Sequence, residues 1–264
     1  MKPFVRNKEE QIKAMHCVAV IAAVVAMLMT GVPVRASERD DRIESSARQS
    51  YLFKTYLQGD DIKIQSQDGA VTLTGVVAEE FHRALAQENI SDLPGVKSVD
   101  NRLEVKDAPP TTNSDAWLRD KVKAILLFHR SVSARTTEVD VKDGIVTLRG
   151  EAAGEAQKEL TAEYARDVEG VIDVNNLMVV SQASIKTETT GMEEDIDDAS
   201  ITAQVKLALL YHRSTNPINP KIETTDGNVT LYGKAGSATI LSLATRLAND
   251  VIGVKSVNNR MTIE

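Results

Sequence analysis

The sequence predicts an α+β protein made of three tandem α-β-β-α-β units, each a three-stranded mixed sheet with two helices on one face. An Asp-Gly-x-Val-Thr-Leu-x-Gly pattern occurs three times, and a Gly-Val pair follows it at a constant distance. The marker glycines are 26 positions apart in every copy: Gly69 and Gly95, Gly144 and Gly170, Gly227 and Gly253. A hydrophobic content of 42% and a charged content of 26% are typical of a soluble globular protein.

Each unit is expected to open with an amphipathic helix. In unit two, Ser114 or Asp115 can serve as the N-cap of this helix. Apolar residues then recur at helical spacing and form one face: Leu118, Val122, Ile125 and Leu126. Unit three repeats this stripe and unit one has a weaker version: Ile201, Val205, Ala208 and Leu209, and Ile43, Ala47, Ser50 and Tyr51.

Two short strands and a second helix follow in each unit. The Asp-Gly pair between the strands favours a tight hairpin, because glycine accepts a positive φ. Second helices are expected at about 78–93, 153–168 and 236–251, and a marker glycine follows each of them. The six marker glycines are therefore interpreted as structural turns and helix stops. The last strand returns after a helix, so it is expected to run parallel to one hairpin strand.

The repeat divides the chain into three domains and two linkers. The domains are 41–105 (unit one), 115–180 (unit two) and 198–264 (unit three). The first linker, 106–114, contains two prolines, and the second, 181–197, ends in an acidic run. That run precedes a predicted helix, where carboxylates complement the positive end of the helix dipole.

The first 36 residues have the pattern of a secretory signal peptide. A basic segment precedes thirteen consecutive apolar residues at 17–29. Small residues before Ser37 predict cleavage near Ala36 and a periplasmic mature protein. An uncleaved inner-membrane anchor is the alternative, although a span needs ~20 apolar residues. Cleavage removes Cys17, the one cysteine, so the mature chain is expected to have no disulfide partner.

The hairpin pattern and the Gly-Val-x-x-Val-x-Asn strand resemble the BON domain family. The resemblance covers three units of about 65 residues and so nearly all of the predicted mature chain. It implies a role in the cell envelope under osmotic or general stress, and binding to phospholipid surfaces is often attributed to this domain. It implies no catalytic residues. The third copy departs from the two-copy arrangement that is common in the family.

No catalytic, cofactor-binding or metal-binding group is predicted. The chain has four histidines and one cysteine, without a His-x-x-x-His pair, whereas metal sites need convergent ligands. A Gly-x-Ser-x-Gly elbow is absent, and no phosphate-binding glycine loop precedes a helix. We therefore expect neither an enzyme nor a cofactor.

One repeated feature exceeds what the fold requires. The first helices of units two and three both end in Leu-aromatic-His-Arg-Ser, whereas unit one has Phe53-Lys54-Thr55. Cationic residues at a helix C-terminus complement the helix dipole, and this is the structural interpretation. The functional alternative is a surface that meets anionic headgroups. Its residues would be Phe128, His129, Arg130, Lys206, Tyr211, His212 and Arg213.

Charge is distributed unevenly along the chain. The mature chain has a predicted net charge of −10, which argues against general nucleic-acid binding. Residues 41–105 carry −4, residues 116–180 carry −2 and residues 199–263 carry +4. Unit three is therefore the best candidate for an anionic partner. Its basic residues are Lys206, Arg213, Lys221, Lys234, Arg246, Lys255 and Arg260.

These observations and the resemblance predict a non-catalytic periplasmic protein of the envelope and osmotic stress. Its partners would be anionic phospholipid headgroups or unfolded protein segments. The alternative is a structural interaction module that organises an envelope assembly with other envelope proteins. The sheet face opposite the helices is the expected interaction surface. Thr72, Thr147 and Thr230 make that face hydrophilic, which disfavours a chaperone that uses a broad apolar patch.

Overall fold

The computed structural model describes residues 34–106, 114–181 apart from Ser133, and 196–264. Most of the predicted signal peptide and the middle of both predicted linkers lie outside the described residues. The predicted fold class is confirmed, because helices and strands follow one another in the expected order and the strands form open mixed sheets of three strands. In units two and three the last strand is divided into two short pieces.

Unit one begins with a broken helix rather than the single helix predicted. Ser50 is extended, with φ −60° and ψ 151°, and its side chain accepts a hydrogen bond from the Phe53 N–H. Ser50 therefore ends one helix and caps the next. The elements are α1 (Val34–Gln49), α2 (Tyr51–Thr55), β1 (Asp61–Gln67), β2 (Ala70–Val77), α3 (Glu80–Ser91) and β3 (Ser98–Val105).

Units two and three begin with unbroken helices, which Ser114 and Asp197 cap through their side chains. The predicted apolar faces of both helices are buried. Unit two contains α4 (Asp115–Phe128), a 3-10 turn (Ala134–Thr136), β4 (Thr137–Lys142), β5 (Ile145–Ala152), α5 (Glu155–Arg166), β6 (Asp173–Asn176) and β7 (Val179–Val180). Unit three contains α6 (Asp198–Tyr211), a 3-10 turn (Asn216–Ile218), β8 (Lys221–Thr225), β9 (Asn228–Tyr232), β10 (Lys234–Ala235), α7 (Ala238–Asp250), β11 (Ser256–Asn259) and β12 (Thr262–Ile263).

The second hairpin strand is the centre of each sheet. It pairs antiparallel with the first strand and parallel with the last one, as predicted. Both hairpin residues have a positive φ, for example 53° at Asp68 and 83° at Gly69. Such values define the type I′ turn, whose twist matches that of the strands. Leu73, Leu148 and Leu231 point from the central strands into the core and are completely buried.

A carboxylate clamp holds the first helix to the hairpin in all three units. Asp115 and Asp198 are the first residues of α4 and α6, and Asp40 lies within α1. Each carboxylate accepts hydrogen bonds of 2.8 to 3.0 Å from both backbone N–H groups of the turn. The clamping Asp precedes the hairpin Asp by 28 positions in every copy. From the sequence, Asp115 and the acidic run before unit three were predicted only to stabilise helix starts, and the contact with the hairpin was not predicted.

The asparagine of the last-strand pattern also has a structural role. Its side-chain amide donates to a carbonyl of the second helix and its oxygen accepts from the N–H two residues further on. The three residues are Asn101, Asn176 and Asn259. The repeated sequence pattern is therefore used for internal hydrogen bonds.

The three units share their cores. One hydrophobic cluster joins units two and three, and another joins unit one to residues of α4 and α6. Ten of the fourteen residues of α6 are buried, including polar Gln204 and Ser200. A helix that is buried on several faces lies inside an assembly rather than at its surface. The helices α4 and α6, more than half of whose residues are buried, therefore lie at the contacts between the three units.

Candidate functional site

The repeated His-Arg ends of α4 and α6 form a reciprocal junction between units two and three. The chain leaves each helix in an extended conformation at His129 or His212. His129 then pairs with Val251 and His212 pairs with Val168, in both cases antiparallel. The end of each first helix thus docks beside the end of the second helix of the other unit.

Arg130 and Arg213 complete this junction. The Arg130 guanidinium donates to the Val251 and Val254 carbonyls at 2.7 Å each. Arg213 makes the matching contacts with Val168 and Val171 at 3.3 and 3.1 Å. A cation at the C-terminal end of a helix satisfies carbonyls that lack helical partners. Each arginine therefore caps a helix of the neighbouring unit rather than its own.

His129 is enclosed in a polar cluster at this junction. Its ring is 1% exposed and stacks on Tyr164 with a centroid distance of 4.0 Å. Its Nδ1 lies 3.2 Å from Asp250 Oδ2. The Tyr164 hydroxyl donates to the same carboxylate at 2.6 Å, and Ser131 Oγ donates to its other oxygen. One carboxylate of unit three therefore contacts three side chains of unit two.

The other half of the junction is less complete. His212 Nε2 lies 3.6 Å from Asp167 Oδ2, and the Asp167 side chain is 46% exposed against 15% for Asp250. Leu247 holds the place that Tyr164 has in unit two, so the phenol that contacts Asp250 has no counterpart beside Asp167 among the described residues. The two halves are therefore related in backbone and arginine contacts but differ in the strength of the carboxylate cluster.

The remaining residues of the predicted anionic-surface site contact unit one. Phe128 is completely buried and packs edge-on against Tyr56, with ring centroids 6.2 Å apart. Lys206 pairs with Glu88 of α3, and Tyr211 packs against both hydrophobic clusters. Unit one lacks the His-Arg end and docks differently: Asp197 Oδ2 accepts from the Tyr51 N–H at 2.7 Å.

All seven residues proposed from sequence for an anionic surface therefore lie at contacts between units. Phe128, His129 and His212 are buried, whereas the surfaces of Arg130 and Arg213 are partly open to solvent. Binding of headgroups by these residues stays a prediction. Their contacts support the structural interpretation of the His-Arg ends, with the difference that the capped helices belong to neighbouring units.

The junction carboxylates have lowered pKa values. Burial raises the pKa of Asp250, but the nearby His129 ring and the hydrogen bonds from Ser131 and Tyr164 outweigh it and hold the pKa below the ordinary value of 3.8. The contact with the His212 ring is the largest cause that lowers the pKa of Asp167, against an opposing effect of burial. Both groups therefore favour the ionised form in the folded protein.

Acidification is expected to weaken the junction. Because the folded-state pKa of Asp250 is below the unfolded value of 3.8, its stabilisation is complete above that value. The stabilisation is lost as the pH falls through the folded pKa. Urea unfolding from about pH 6 to about pH 2 will test this in wild-type protein and in Asp250→Asn. We expect a smaller loss on acidification in the variant, and equal losses would contradict this origin.

The open sheet face of unit three carries a basic and aromatic group. Lys221 lies opposite Tyr232 in the hairpin, and its Nζ is 5.9 Å from the ring centroid. Arg260 comes directly after β11, lies beside Tyr232 on the neighbouring strand and is exposed. Lys234 lies two residues after Tyr232 in the chain and is also exposed. The Lys221 and Lys234 side chains are 73% and 68% exposed, although they pair with Glu223 and Glu264. We call these four residues, Lys221, Tyr232, Lys234 and Arg260, the basic face.

The positions equivalent to the basic face in the other two sheets, which form one row across the strands, hold residues of different charge and polarity. Unit one has Lys63, Thr74 and Arg102 there. Three acidic residues share that open face: Asp61, Asp100 and Glu104. In unit two the row begins with Glu138 and Arg149 and ends at Leu177. Three residues of the basic face, Lys221, Lys234 and Arg260, are among the seven basic residues predicted from the sequence, and the strand register places them on one face.

Two further observations concern the described ranges alone. No group of three or more His, Cys, Asp or Glu residues in them is arranged to hold a metal ion. Within the same ranges, no helix combines the length and the apolar character that crossing a bilayer requires.

Comparison with known proteins identifies the family. The BON domain model matches residues 39–107, 114–182 and 197–264. Osmotically-inducible protein Y of Escherichia coli strain K12 is 32% identical over 198 residues, which cover 75% of this chain and 95% of that protein. An uncharacterized protein in the gshII 5′ region of Anaplasma centrale is 29% identical over 143 residues, or 54% of this chain and 90% of that protein.

A structural comparison gives a more distant likeness. The solved structure of CdsD, a structural protein of the type III secretion system of Chlamydia trachomatis, is 16% identical with a TM-score of 0.22. The alignment covers 84% of this chain and 90% of that one. The family assignment depends instead on the sequence matches, which include all three repeats. The chain therefore belongs to the BON domain family and carries three tandem BON domains.

Proposed function

We propose that this chain is a non-catalytic envelope protein of the osmotic stress response, which binds anionic phospholipid headgroups through the basic face. Membership of the BON family and the likeness to osmotically-inducible protein Y support the stress role. The predicted signal peptide supports a periplasmic location after cleavage near Ala36. The helices α4 and α6 lie at the contacts between units, and the sheet face that carries the basic face is open to partners.

The observation that carries this proposal is the placement of the basic face on an otherwise open sheet. Three cationic side chains lie around Tyr232, with Glu223 and Glu264 as the neighbouring acids. A tyrosine at a membrane interface places its ring among the lipids and its hydroxyl in water. Lysine and arginine near an anionic bilayer each contribute about 1 kcal/mol of attraction. The group therefore combines the two properties that headgroup binding uses.

Reversing two charges of the basic face is expected to weaken vesicle binding. Lys221→Glu with Arg260→Glu removes roughly 2 kcal/mol of attraction and adds the repulsion of two carboxylates, so the partition coefficient is expected to fall by at least about 30-fold. The measurement is co-sedimentation with phosphatidylglycerol-containing vesicles, compared with vesicles of phosphatidylcholine alone. Binding of the wild-type protein is expected to fall at high salt because exposed charges are screened.

Unit one supplies a matched control. Lys63 and Arg102 occupy the same row of its sheet, so Lys63→Glu with Arg102→Glu makes the same change in net charge at a different place. This control is expected to keep most of the binding. Equal losses in both variants would show that net charge alone is responsible. An absence of wild-type binding to anionic vesicles would refute the lipid proposal.

A structural interaction module is the second candidate function. The exposed apolar residues of unit two favour it, because Ile172, Leu177 and Val179 are 75%, 50% and 64% exposed. Unfolded protein segments are the third class of partner considered, and they would also use apolar surface. An aggregation assay with an unfolded protein tests for partners of this kind. A protein that binds only lipid headgroups is not expected to suppress that aggregation.

A further inference from the structure

A cleft of about 290 Å³ lies between units one and two. Unit one contributes the end of α2 and the start of α3, and unit two contributes α4 and β4. Liquid water occupies ~30 Å³ per molecule, so the cleft has room for roughly ten waters or for one small organic molecule. Its walls are partly apolar, since Phe81, Leu127 and Val139 line it beside the polar groups.

His82 lines this cleft and is oriented by a buried carboxylate. Its Nδ1 lies 2.7 Å from Asp60 Oδ2, and the Asp60 side chain is 2% exposed. Asp60 Oδ1 accepts from the Ala78 N–H at 2.8 Å, so both carboxylate oxygens act as acceptors and Nδ1 is the donor. With the proton on Nδ1, the neutral ring has an acceptor at Nε2. Nε2 has no partner among the described residues, and a ligand hydroxyl can donate to it.

The fold does not require this His-Asp pair. Gln157 of unit two and Ile240 of unit three occupy the position of His82. In unit two, Gln157 Oε1 accepts from the Ala153 N–H at 2.8 Å, which corresponds to the backbone contact that Asp60 makes in unit one. A single amide therefore satisfies that N–H without a histidine. The pair in unit one calls for an explanation that is specific to this cleft.

The charged groups that line the cleft neutralise one another. Lys123 Nζ donates to Glu79 Oε1 at 2.9 Å, and both side chains line the cleft. Glu79 Oε2 is buried and has no hydrogen-bond partner among the described residues. An anion in the cleft would meet Glu79 and a cation would meet Lys123, so a charged ligand of either sign has a like charge as a neighbour. An uncharged ligand whose hydroxyls both donate and accept avoids this repulsion.

We propose that this cleft binds the ring of an uncharged sugar, either free or as one unit of a glycan. One hydroxyl donates to His82 Nε2, and a neighbouring hydroxyl accepts from Lys123 Nζ. The apolar C–H groups of the ring pack against the apolar walls, an arrangement typical of small-molecule sites. A hexose has about twelve non-hydrogen atoms, so its dissociation constant is expected in the roughly millimolar range. Binding of this kind does not depend on the basic face, which belongs to unit three.

Amide chemical shifts of the full ¹⁵N-labelled protein test the site. Glucose, mannose and galactose are titrated separately to about 50 mM, which exceeds the expected dissociation constant. At least one is expected to cause saturable shifts at residues that line the cleft, among them His82 and Leu127. Sorbitol has similar hydroxyls without the ring and is expected to bind more weakly. No saturable shift there with any of the three hexoses would overturn the proposal.

Further ligands test the assigned chemistry. Glutamate and choline are the charged probes, and tighter binding of either one at these residues would overturn the assignment of an uncharged ligand. Maltotriose distinguishes the two sources of the sugar. Binding tighter than that of glucose indicates a unit of a glycan, and weaker binding indicates a free sugar.

Two variants test the position of the sugar. His82→Gln introduces the residue of unit two and is expected to weaken hexose binding by roughly 3- to 10-fold, the effect of one lost hydrogen bond. Val139→Phe places a ring in the cleft, keeps every polar group and is expected to abolish binding. Thr74→Gln, on the open sheet face of unit one, is the control and is expected to bind like the wild-type protein. The dispersion of the amide shifts shows that each variant is folded, and wild-type affinity in either folded cleft variant would overturn the proposal.

Discussion

Gly150→Ala is expected to lower the free energy of unfolding by about 3–5 kcal/mol, whereas Gly233→Ala at the equivalent place costs roughly 1–2 kcal/mol. Both glycines have a positive φ, 119° at Gly150 and 133° at Gly233, so alanine is strained at either place. The two sites differ in the space around an added Cβ. At Gly150 it would lie 1.8 Å from the Thr136 carbonyl oxygen, a backbone atom.

The difference arises from how the first hairpin strand begins. In unit two, Thr137 pairs with Gly150 at the start of the ladder. In unit three, the ladder begins one step later, at Lys221 and Tyr232, and Pro220 lies beside Gly233. Proline has no N–H to donate to a ladder, and its Cα is 3.7 Å from the added Cβ. The backbone therefore leaves room in unit three that it lacks in unit two.

Urea unfolding of both variants measures this difference. Gly75→Ala provides a second test of the crowded geometry, since its added Cβ would lie 1.8 Å from the Asp61 carbonyl oxygen. Gly75→Ala and Gly150→Ala are expected to be similar, with Gly233→Ala the mildest of the three. Equal losses at all three positions would show that the positive φ, rather than the backbone contact, sets the cost.

Much of the fold can be predicted from the sequence because the repeat occurs three times, and the residues that all three copies share are those the local structure requires. The Asp-Gly pairs predict turns with positive φ, and Asp143 and Gly144 have φ values of 51° and 76°. The glycines after the second helices predict their ends. The break at Ser50 was not predicted, because a weak apolar stripe does not distinguish one helix from two. At this break the Ser50 hydroxyl donates to buried Asn89 Oδ1 at 2.9 Å, a contact with a residue that is distant in the sequence.

The carboxylate clamp and the junction between units two and three, which were also not predicted, are contacts between distant residues. The clamp was visible as a constant spacing of 28 positions, but a helix-start Asp has a sufficient local explanation as a cap. The partners of His129 and Arg130 lie about 120 residues away, in another unit. A periodic pattern reports which face of an element is buried and carries no information about which unit covers it. The presence of the His-Arg ends in two units and their absence from the third was the available signal.

Asp250→Ala is expected to be the most destabilising change at the junction, with a loss of about 2–4 kcal/mol. The carboxylate accepts hydrogen bonds from Ser131 and Tyr164 and faces His129, which is 1% exposed. Without it, these buried or half-buried polar groups lose their acceptor, and leaving a buried donor unsatisfied costs about 1–3 kcal/mol. Urea unfolding measures the loss.

Asp167→Ala is the matched control, because the backbone and arginine contacts of the two halves are alike. Asp167 faces His212 at 3.6 Å, and its side chain is 46% exposed, so water can replace the interaction. A loss below about 1 kcal/mol is expected. Tyr164→Phe separates the contribution of the phenol, which has Leu247 as its counterpart. Equal losses for the two aspartate variants would contradict the asymmetry.

The junction is also expected to affect how units two and three unfold. Units two and three share one hydrophobic cluster, so intact protein is expected to unfold them in a single transition. Asp250→Ala weakens the contact between the units without removing a residue from either internal core. If the carboxylate cluster couples the two units, the variant is expected to show a broader urea transition with a lower m-value. A transition that moves to lower urea with an unchanged slope would show that the shared apolar core couples them instead.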